Sequence, residues 1–372
     1  MNNQKTNSYG KLLVFFLVAV IIVLSFGFVA DGLQDGKVPD ENSGNTDNDD
    51  KVSGDADNDN KNDEKEETNE PEIYIPEYVS SLTGLETTEQ LATRTPIAIT
   101  LSSSSALYGI SSADILIEIP TENGESRFLF LTDDYKSLGK IGAVAPTRSY
   151  ISRLSDSFGS ILVSYGSDNE KTTASNKNST AHFDLTVYSG SHYTEYNSYV
   201  YTNGDLINRG IANAGIVDSD TVTTLPFCFS SFGADTILGS EKATTISLPY
   251  GQTTSTELIY SESDKSYSIA KSGVAVHDML NDKTPNFENV FILFADSTTY
   301  ESKDGSYLNL HTDGAGEGYY ISEGTVQKIT WNASDGGNIK FFSESGYALT
   351  VNRGRSYIGF LKSSLHSENL IK

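Results

Sequence analysis

Four charged side chains and one tyrosine, Glu118, Glu122, Arg127, Arg148 and Tyr150, have types and spacing that chemistry can use. Glu118 and Glu122 bracket "IPTE", where an apolar run gives way to a turn, and Arg127 opens the next apolar run. Arg148 follows Pro146 and Thr147 at the head of "SYISRLSDSFG". Thr147 is expected as the N-cap of a helix there, because its hydroxyl can accept from the backbone N–H groups of the first turn. The N-terminal end of a helix carries partial positive charge, so arginine is unfavourable at that point unless something negative joins it. Two readings stay open. Backbone donors and a guanidinium fork suit a bound carboxylate or phosphate; alternatively Arg148 pairs internally with Glu118 or Glu122. Two carboxylates close to two arginines also permit acid–base work.

Other chemical signatures are missing. His182, His192, His277, His311 and His366 show no H-x-x-x-H spacing and no cysteine neighbours, so no zinc site is expected. There is no G-x-S-x-G and no P-loop, and nothing implies a cofactor. "DGAGEGYY" at 313–320 imitates a glycine-rich cradle but leads into a strand pattern, which makes it a β-turn. Lone Cys228 has no internal disulfide partner, and its setting "LPFCFSS" reads as a buried strand.

The elements that must position the polar set are short. "IAITL" (97–101), "DILIEI" (114–119) and "RFLFLT" (127–132) have the pattern of strands. Tyr150, Ile151, Leu154 and Phe158 fall at helical spacing, with Gly159 as a stop, and "SILVSYG" follows as another buried strand. A second helix is expected in "GDLINRGIANAG" (204–215). Strands mixed with a few helices predict an α+β or α/β domain over 73–225. Beyond Pro226, Tyr-, Thr- and Val-rich runs recur near every ten residues between Gly, Asn, Asp and Ser, which predicts a β-rich domain over 226–372. Its Tyr and Phe residues are expected in the core and in cross-strand pairs.

The N-terminal part differs from both. Leu12–Ala30 is a run of 19 uncharged, mainly apolar residues, about 28 Å long as a helix. Lys5 and Lys11 precede it and Asp31 and Asp35 follow it, so residues 1–11 are expected in the cytoplasm and the remainder outside. Phe28 two positions before Ala30 suits a cleavage site poorly, which favours an uncleaved signal anchor over 12–30. Residues 31–72 hold 16 acidic residues against four lysines, a net −12, half of the −24 carried by the whole 372-residue chain. With four apolar residues there, a disordered acidic linker is expected. Asp55, Asp57, Asp59, Asp63 and Glu66 match the spacing of a calcium loop, but Asn60 stands where the turn wants glycine and no amphipathic helix flanks the stretch. The charge also argues against nucleic acid as a partner.

The same polar set carries a family likeness. "ADILIEIPTENGESRFLFLT" followed by "KIGAVAPTRSY" resembles the YerB-like, DUF3048 family of bacterial envelope proteins, with Ala113, Asp114, Glu118, Glu122, Gly124, Arg127, Phe128, Lys140, Ile141, Gly142, Arg148 and Tyr150 at matching positions. "HDMLNDKTPNFENVFILF", "GEGYYISEGTVQKITW" and "GYALTVNRGRSYIGF" resemble the family's C-terminal domain, through His277, Asp278, Asn289, Val290 and Trp331. The likeness runs from about Thr93 to Phe360 in consistent order. Ala145 stands where the family has an arginine, Ser198 where it has a histidine, and "VSYGS" replaces a histidine-bearing segment. The resemblance implies a fold and an envelope location; it brings no activity with it. The expected function is noncatalytic binding or scaffolding at the bacterial cell envelope, on cell-wall polymer or an envelope protein. The alternative is an envelope hydrolase or transferase using Glu118 or Glu122.

Overall fold

Alternation along the strands sets the architecture. The structure, a computed structural model, describes residues 73–167, 181–188, 191–216, 226–303, 305–333 and 338–372. The apolar run 12–30, the acidic segment 31–72 and its calcium-like spacing lie outside these residues. Among the described residues no helix is long and apolar enough to cross a membrane.

The described chain is β-rich with few helices. Among the described residues eight strands precede Pro226: β1 (Ile97–Ser102), β2 (Ile115–Pro120), β3 (Ser126–Thr132), β4 (Ile141–Val144), β5 (Ile161–Ser164), β6 (His182–Asp184), β7 (Thr194–Tyr196) and β8 (Tyr199–Thr202). After it come β9 (Cys228–Phe229), β10 (Glu241–Lys242), β11 (Thr245–Pro249), β12 (Ser255–Ser261), β13 (Ser266–Lys271), β14 (Val274–Ala275) and β15 (Asn286–Phe287). The last are β16 (Asn289–Ala295), β17 (Ser297–Ser302), β18 (Gly305–Leu310), β19 (Ala315–Ser322), β20 (Thr325–Asn332), β21 (Lys340–Ser343), β22 (Thr350–Val351) and β23 (Ser356–Lys362). Three α-helices accompany them among the described residues: α1 (Glu89–Ala92), α2 (Ser149–Ser157) and α3 (Gly204–Asn213). None of the three lies beyond Pro226.

Among the described residues, the segments on either side of Pro226 share one sheet of 14 strands. Its spine runs β10-β20-β19-β16-β23-β2-β3-β1-β4-β8-β7. The two segments meet where β2 pairs in parallel with β23, from Ile115↔Ser356 to Glu118↔Gly359. A smaller sheet, β11-β12-β13-β14 with β15 on β13, stands apart from that path.

Because successive side chains point to opposite faces, each central strand feeds two cores. On one face Leu116, Phe128, Phe130, Val290, Ile292 and Tyr357 pack with Leu248, Leu258 and Ile269 of the smaller sheet and with Ile207 and Ile211 of α3. On the other, Ile117, Leu129, Phe291, Leu293 and Phe360 pack with Tyr150, Ile151 and Leu154 of α2. Both helices lie where the periodicity places them. Asn203 caps α3 through a bond from the Leu206 N–H at 2.9 Å, and Gly210 lets that helix approach Phe183 so closely that a Cβ would overlap the ring.

Two local readings need correction. Thr147 is not the cap of α2. Its N–H is drawn to the Gly166 carbonyl (3.1 Å), so the helix starts one residue later with Arg148 as N-cap, its side chain making no cap bond. Cys228 is exposed and not buried. Phe227 takes the inward position beside it, with ring centroids 5.4 Å from Phe291 and 5.5 Å from Phe341.

Candidate functional site

The register of β2 and β3 divides the sequence-level polar set between the two faces. Glu118 lies opposite Phe128 and Ile119 opposite Arg127. Glu118 therefore points with Phe128 toward the smaller sheet, and Arg127 points to the α2 side.

Glu118 is fully buried, and four donors fill its carboxylate. Ser126 Oγ and Lys271 Nζ reach Oε1, each at 2.5 Å. Thr256 Oγ1 (2.7 Å) and Tyr357 Oη (2.5 Å) reach Oε2. Lys271 spends its other two protons on Ser126 Oγ (3.2 Å) and Thr256 Oγ1 (3.0 Å). Burial, and then the charge of Glu118, push the Tyr357 phenol well above the usual tyrosine range, which keeps it a donor. A carboxylate offers about four lone-pair sites, so Glu118 has none left for a substrate. Its bonds tie the large sheet to the smaller one.

On the opposite face Glu122, Arg127, Arg148 and Tyr150 come together. Arg148 grips Glu122 with both arms of its fork, Nε–Oε1 at 3.2 Å and Nη2–Oε2 at 2.5 Å. Of the two alternatives left open by the sequence, the structure has the internal pair, with Glu122 as the partner. The Leu308 N–H also donates to Glu122 Oε1 (2.9 Å), and the Tyr307 ring lies 5.4 Å from the guanidinium, so β18 covers the pair. Burial raises the Glu122 pKa, but the Arg148 bonds outweigh it and hold the carboxyl below its ordinary value. Burial lowers the Arg127 pKa, with Arg148 nearby acting in the same direction. Tyr150, its pKa pushed up by burial, donates to the Pro120 carbonyl at 3.0 Å. These side chains lock α2 to the end of β2 and to β18.

The open chemistry lies elsewhere, where β2, β16 and β23 begin and β3 ends. A cavity of about 560 Å³ opens there. Asp114 precedes β2, Asp133 and Asp134 follow β3, Glu288 precedes β16 and Arg355 precedes β23; all five line it. Asp114 Oδ2 accepts from Thr132 Oγ1 (2.7 Å) and from the Asp133 N–H (3.2 Å). Asp133 is only 5 % exposed, and Ser80 Oγ donates to its Oδ2 at 2.6 Å. Among the described residues no cation pairs with either carboxylate. Arg94 reaches Asp134 (3.7 Å) and the Asp133 carbonyl (3.3 Å), and Arg355 is spent on Asn286 Oδ1 (2.6 Å), the Ser111 carbonyl (3.2 Å) and Glu288 (4.0 Å). Desolvation, and then Asp133, push the Asp114 carboxyl up to about 7; burial also raises Asp133.

Asp278 fixes one wall. Its carboxylate takes the N–H groups of Gly109 (2.8 Å), Ser111 (2.9 Å) and Leu280 (2.9 Å), and the Ser111 hydroxyl (2.6 Å), which holds Leu280 at the cavity edge. Sequence reasoning passed over Asp133, since an Asp pair after a strand reads as a turn, and met Asp114 and Asp278 only as points of family likeness. Among the described residues no group of three or more His, Cys, Asp and Glu side chains could hold a metal ion.

Comparison with known proteins follows the same order along the chain. The model of the DUF3048 N-terminal domain, a protein family of unknown function, matches residues 82–217, and that of the DUF3048 C-terminal domain matches residues 246–358. The crystal structure of YerB protein from Bacillus subtilis is similar, with a TM-score of 0.66 at 22 % identity, over 76 % of this chain and 96 % of that one. At that identity the likeness is one of fold. No curated protein matches.

Proposed function

The chain belongs to the DUF3048 family, and from that premise we propose that it is a membrane-anchored, extracytoplasmic binding module of the bacterial cell envelope whose ligand sits in the cavity beside Asp114 and Asp133. The observation that carries this reading is a pair of carboxylates at an open cavity that form no salt bridge among the described residues, with Arg355 and Arg94 acting on them only at longer range. Carboxylates held in a partly desolvated place without a salt bridge cost folding free energy, and such groups gather at functional sites. Arg148, paired with Glu122, and Glu118, with its carboxylate filled by four donors, by contrast serve the cohesion of the fold.

The placement rests on the sequence: an apolar run at 12–30 with lysines on its N-terminal side, then an acidic stretch that spaces residues 73–372 from the bilayer. Cell-wall polymer is the partner that fits this position. One observation favours the enzyme reading as second choice. A carboxyl titrating near neutrality in a cleft is suited to general acid–base work, and Asp114 meets that condition.

The test incubates the full chain with isolated cell-wall polymer, pellets the polymer and searches the supernatant for fragments by mass spectrometry. Pelleting without fragments is the expected result. Fragments that disappear in Asp114→Asn would replace this reading with hydrolysis. Failure to pellet would remove cell-wall polymer and point to a protein partner.

A further inference from the structure

Among the described residues, no aromatic side chain lines the cavity beside Asp114 and Asp133, so a sugar ring has nothing to stack on there. We propose that a second site, a trough across β19 and β20 toward the β10 end of the large sheet, takes a chain of neutral sugar rings, one of them stacked on Tyr319. This rests on the binding-module reading and adds a glycan contact to it. The trough and the cavity share no lining residue.

Strand pairing makes the trough. On its outer edge β20 is paired with β10 at Thr325 and Val326 and with β21 from Ile329 to Asn332. Neither strand covers Gln327 and Lys328. A cavity of about 410 Å³ lies in this gap, between Glu241 of β10 and Glu344 just after β21. A second, of about 220 Å³, continues to Glu317, Thr330 and His366. Tyr319, Lys328 and Glu344 line both, so the two form one trough. The β19–β20 register sets Tyr319 opposite Lys328 and Glu317 opposite Thr330, all on one face. His366, in the turn after β23, meets Glu317 at 2.9 Å and closes the far end.

Its floor and rim specify the ligand class. The half-buried Tyr319 ring stands edge-on to Phe294, with centroids 6.1 Å apart and planes at 80°, which fixes its orientation before any ligand arrives. A fixed aromatic face offers the C–H side of a pyranose ring a large contact at little entropic cost. The side chains of Glu241, Gln327, Lys328 and Glu344 make no hydrogen bond or ion pair with any described residue. Lysine brings donors, glutamate acceptors and glutamine both, an inventory that sugar hydroxyls, each donor and acceptor, can satisfy throughout. Ions fit less well. Glu241, Glu317 and Glu344 repel a phosphate chain, and a polyamine would meet Lys328 at the middle of the trough. Among the described residues no group of His, Cys, Asp and Glu side chains could hold a metal ion.

Calorimetry of tetra-N-acetylchitotetraose, a neutral oligosaccharide, against the full chain tests this, with polyphosphate and spermidine as comparison ligands. The expectation is that the oligosaccharide binds, that neither comparison ligand does, and that Tyr319→Ser weakens binding by at least about tenfold. Lys328→Ala, at an exposed position, gives a second route to a loss with the fold left intact. Tyr196→Ser, an exposed tyrosine on β7 at the other end of the sheet, should keep wild-type affinity. Circular dichroism confirms that each variant folds. Absence of oligosaccharide binding, equal or tighter binding of polyphosphate or spermidine, or unchanged affinity in both Tyr319→Ser and Lys328→Ala would overturn the proposal. A parallel pelleting assay separates this site from the module. Wild type that pellets with cell-wall polymer yet ignores the oligosaccharide overturns the trough and leaves the binding module standing. Oligosaccharide bound at Tyr319 without pelleting supports the trough and removes cell-wall polymer as the partner.

Discussion

Asp114 and Glu122 are carboxylates in the same fold with opposite linkage to pH. Asp114 is raised from 3.8 to about 7. Its effect on stability is absent below the unfolded value, grows as pH rises, and is complete as a penalty above the folded value. Asp114→Asn keeps an acceptor for Thr132 and the Asp133 N–H while removing the charge. It should stabilise the chain by about 4 kcal/mol at pH 8 and by little at pH 4, read from thermal melts at the two pH values; equal shifts at both would contradict the assignment. Glu122 is lowered by its pair with Arg148, so its contribution is full above the ordinary glutamate value and disappears as pH falls through the folded one. Arg148→Ala leaves that carboxylate enclosed by Leu308 and Tyr307. A loss of about 3–5 kcal/mol is expected, measured by urea unfolding at neutral pH and shrinking in acid. The pairing was legible as one of two options, since Arg148 at a helix start calls for a negative neighbour. Which option held depended on Leu308, 186 residues from Glu122, and no local pattern reports that.

Strand alternation made most of the elements readable. The apolar runs at 97–101, 114–119 and 127–132 became β1, β2 and β3, and the helical spacing at 150–158 became α2. What alternation does not give is register. With the β2–β3 pairing in hand, Glu118 and Arg127 fall on opposite faces; without it they look like neighbours in one cluster. The partners of Glu118 come from β12, β13 and β23, and a carboxylate in "LIEIP" gives no hint of a lysine 153 residues away. That knot joins the smaller sheet to the large one, and its energetics are those of a buried ion pair. Lys271→Met leaves Glu118 buried and uncompensated and should cost about 3–5 kcal/mol, whereas Lys271→Met combined with Glu118→Gln should recover most of the loss. Hydrogen exchange should quicken in β11–β13 of the single variant and stay unchanged in α2. Uniform acceleration of both would show that the knot stabilises the whole fold and does not dock the smaller sheet in particular.

For the molecule as a whole, the large sheet built from both segments brings distant residues to one cavity. Asp114, Asp133, Leu280 and Arg355 meet there because β2 and β23 pair in parallel and Asp278 bonds its turn back to Gly109 and Ser111. Such convergence cannot be read from composition, whereas the envelope placement is proposed from the apolar run and acidic stretch of the sequence alone. On that placement, protease added to intact cells should cut within 31–72 and release a fragment containing 73–372. Resistance until the cells are lysed would contradict an extracytoplasmic position. The proposed binding site is the Asp114–Asp133 cavity and not the Arg148 cluster. The most direct measurement compares how much full-length wild type, Asp133→Asn and Arg148→Ala pellets with cell-wall polymer at pH 8, each variant first shown to be folded. Loss of at least about tenfold in affinity for Asp133→Asn, with Arg148→Ala near wild type, is the expected result. The reverse pattern, with Arg148→Ala losing binding and Asp133→Asn keeping it, would contradict the account.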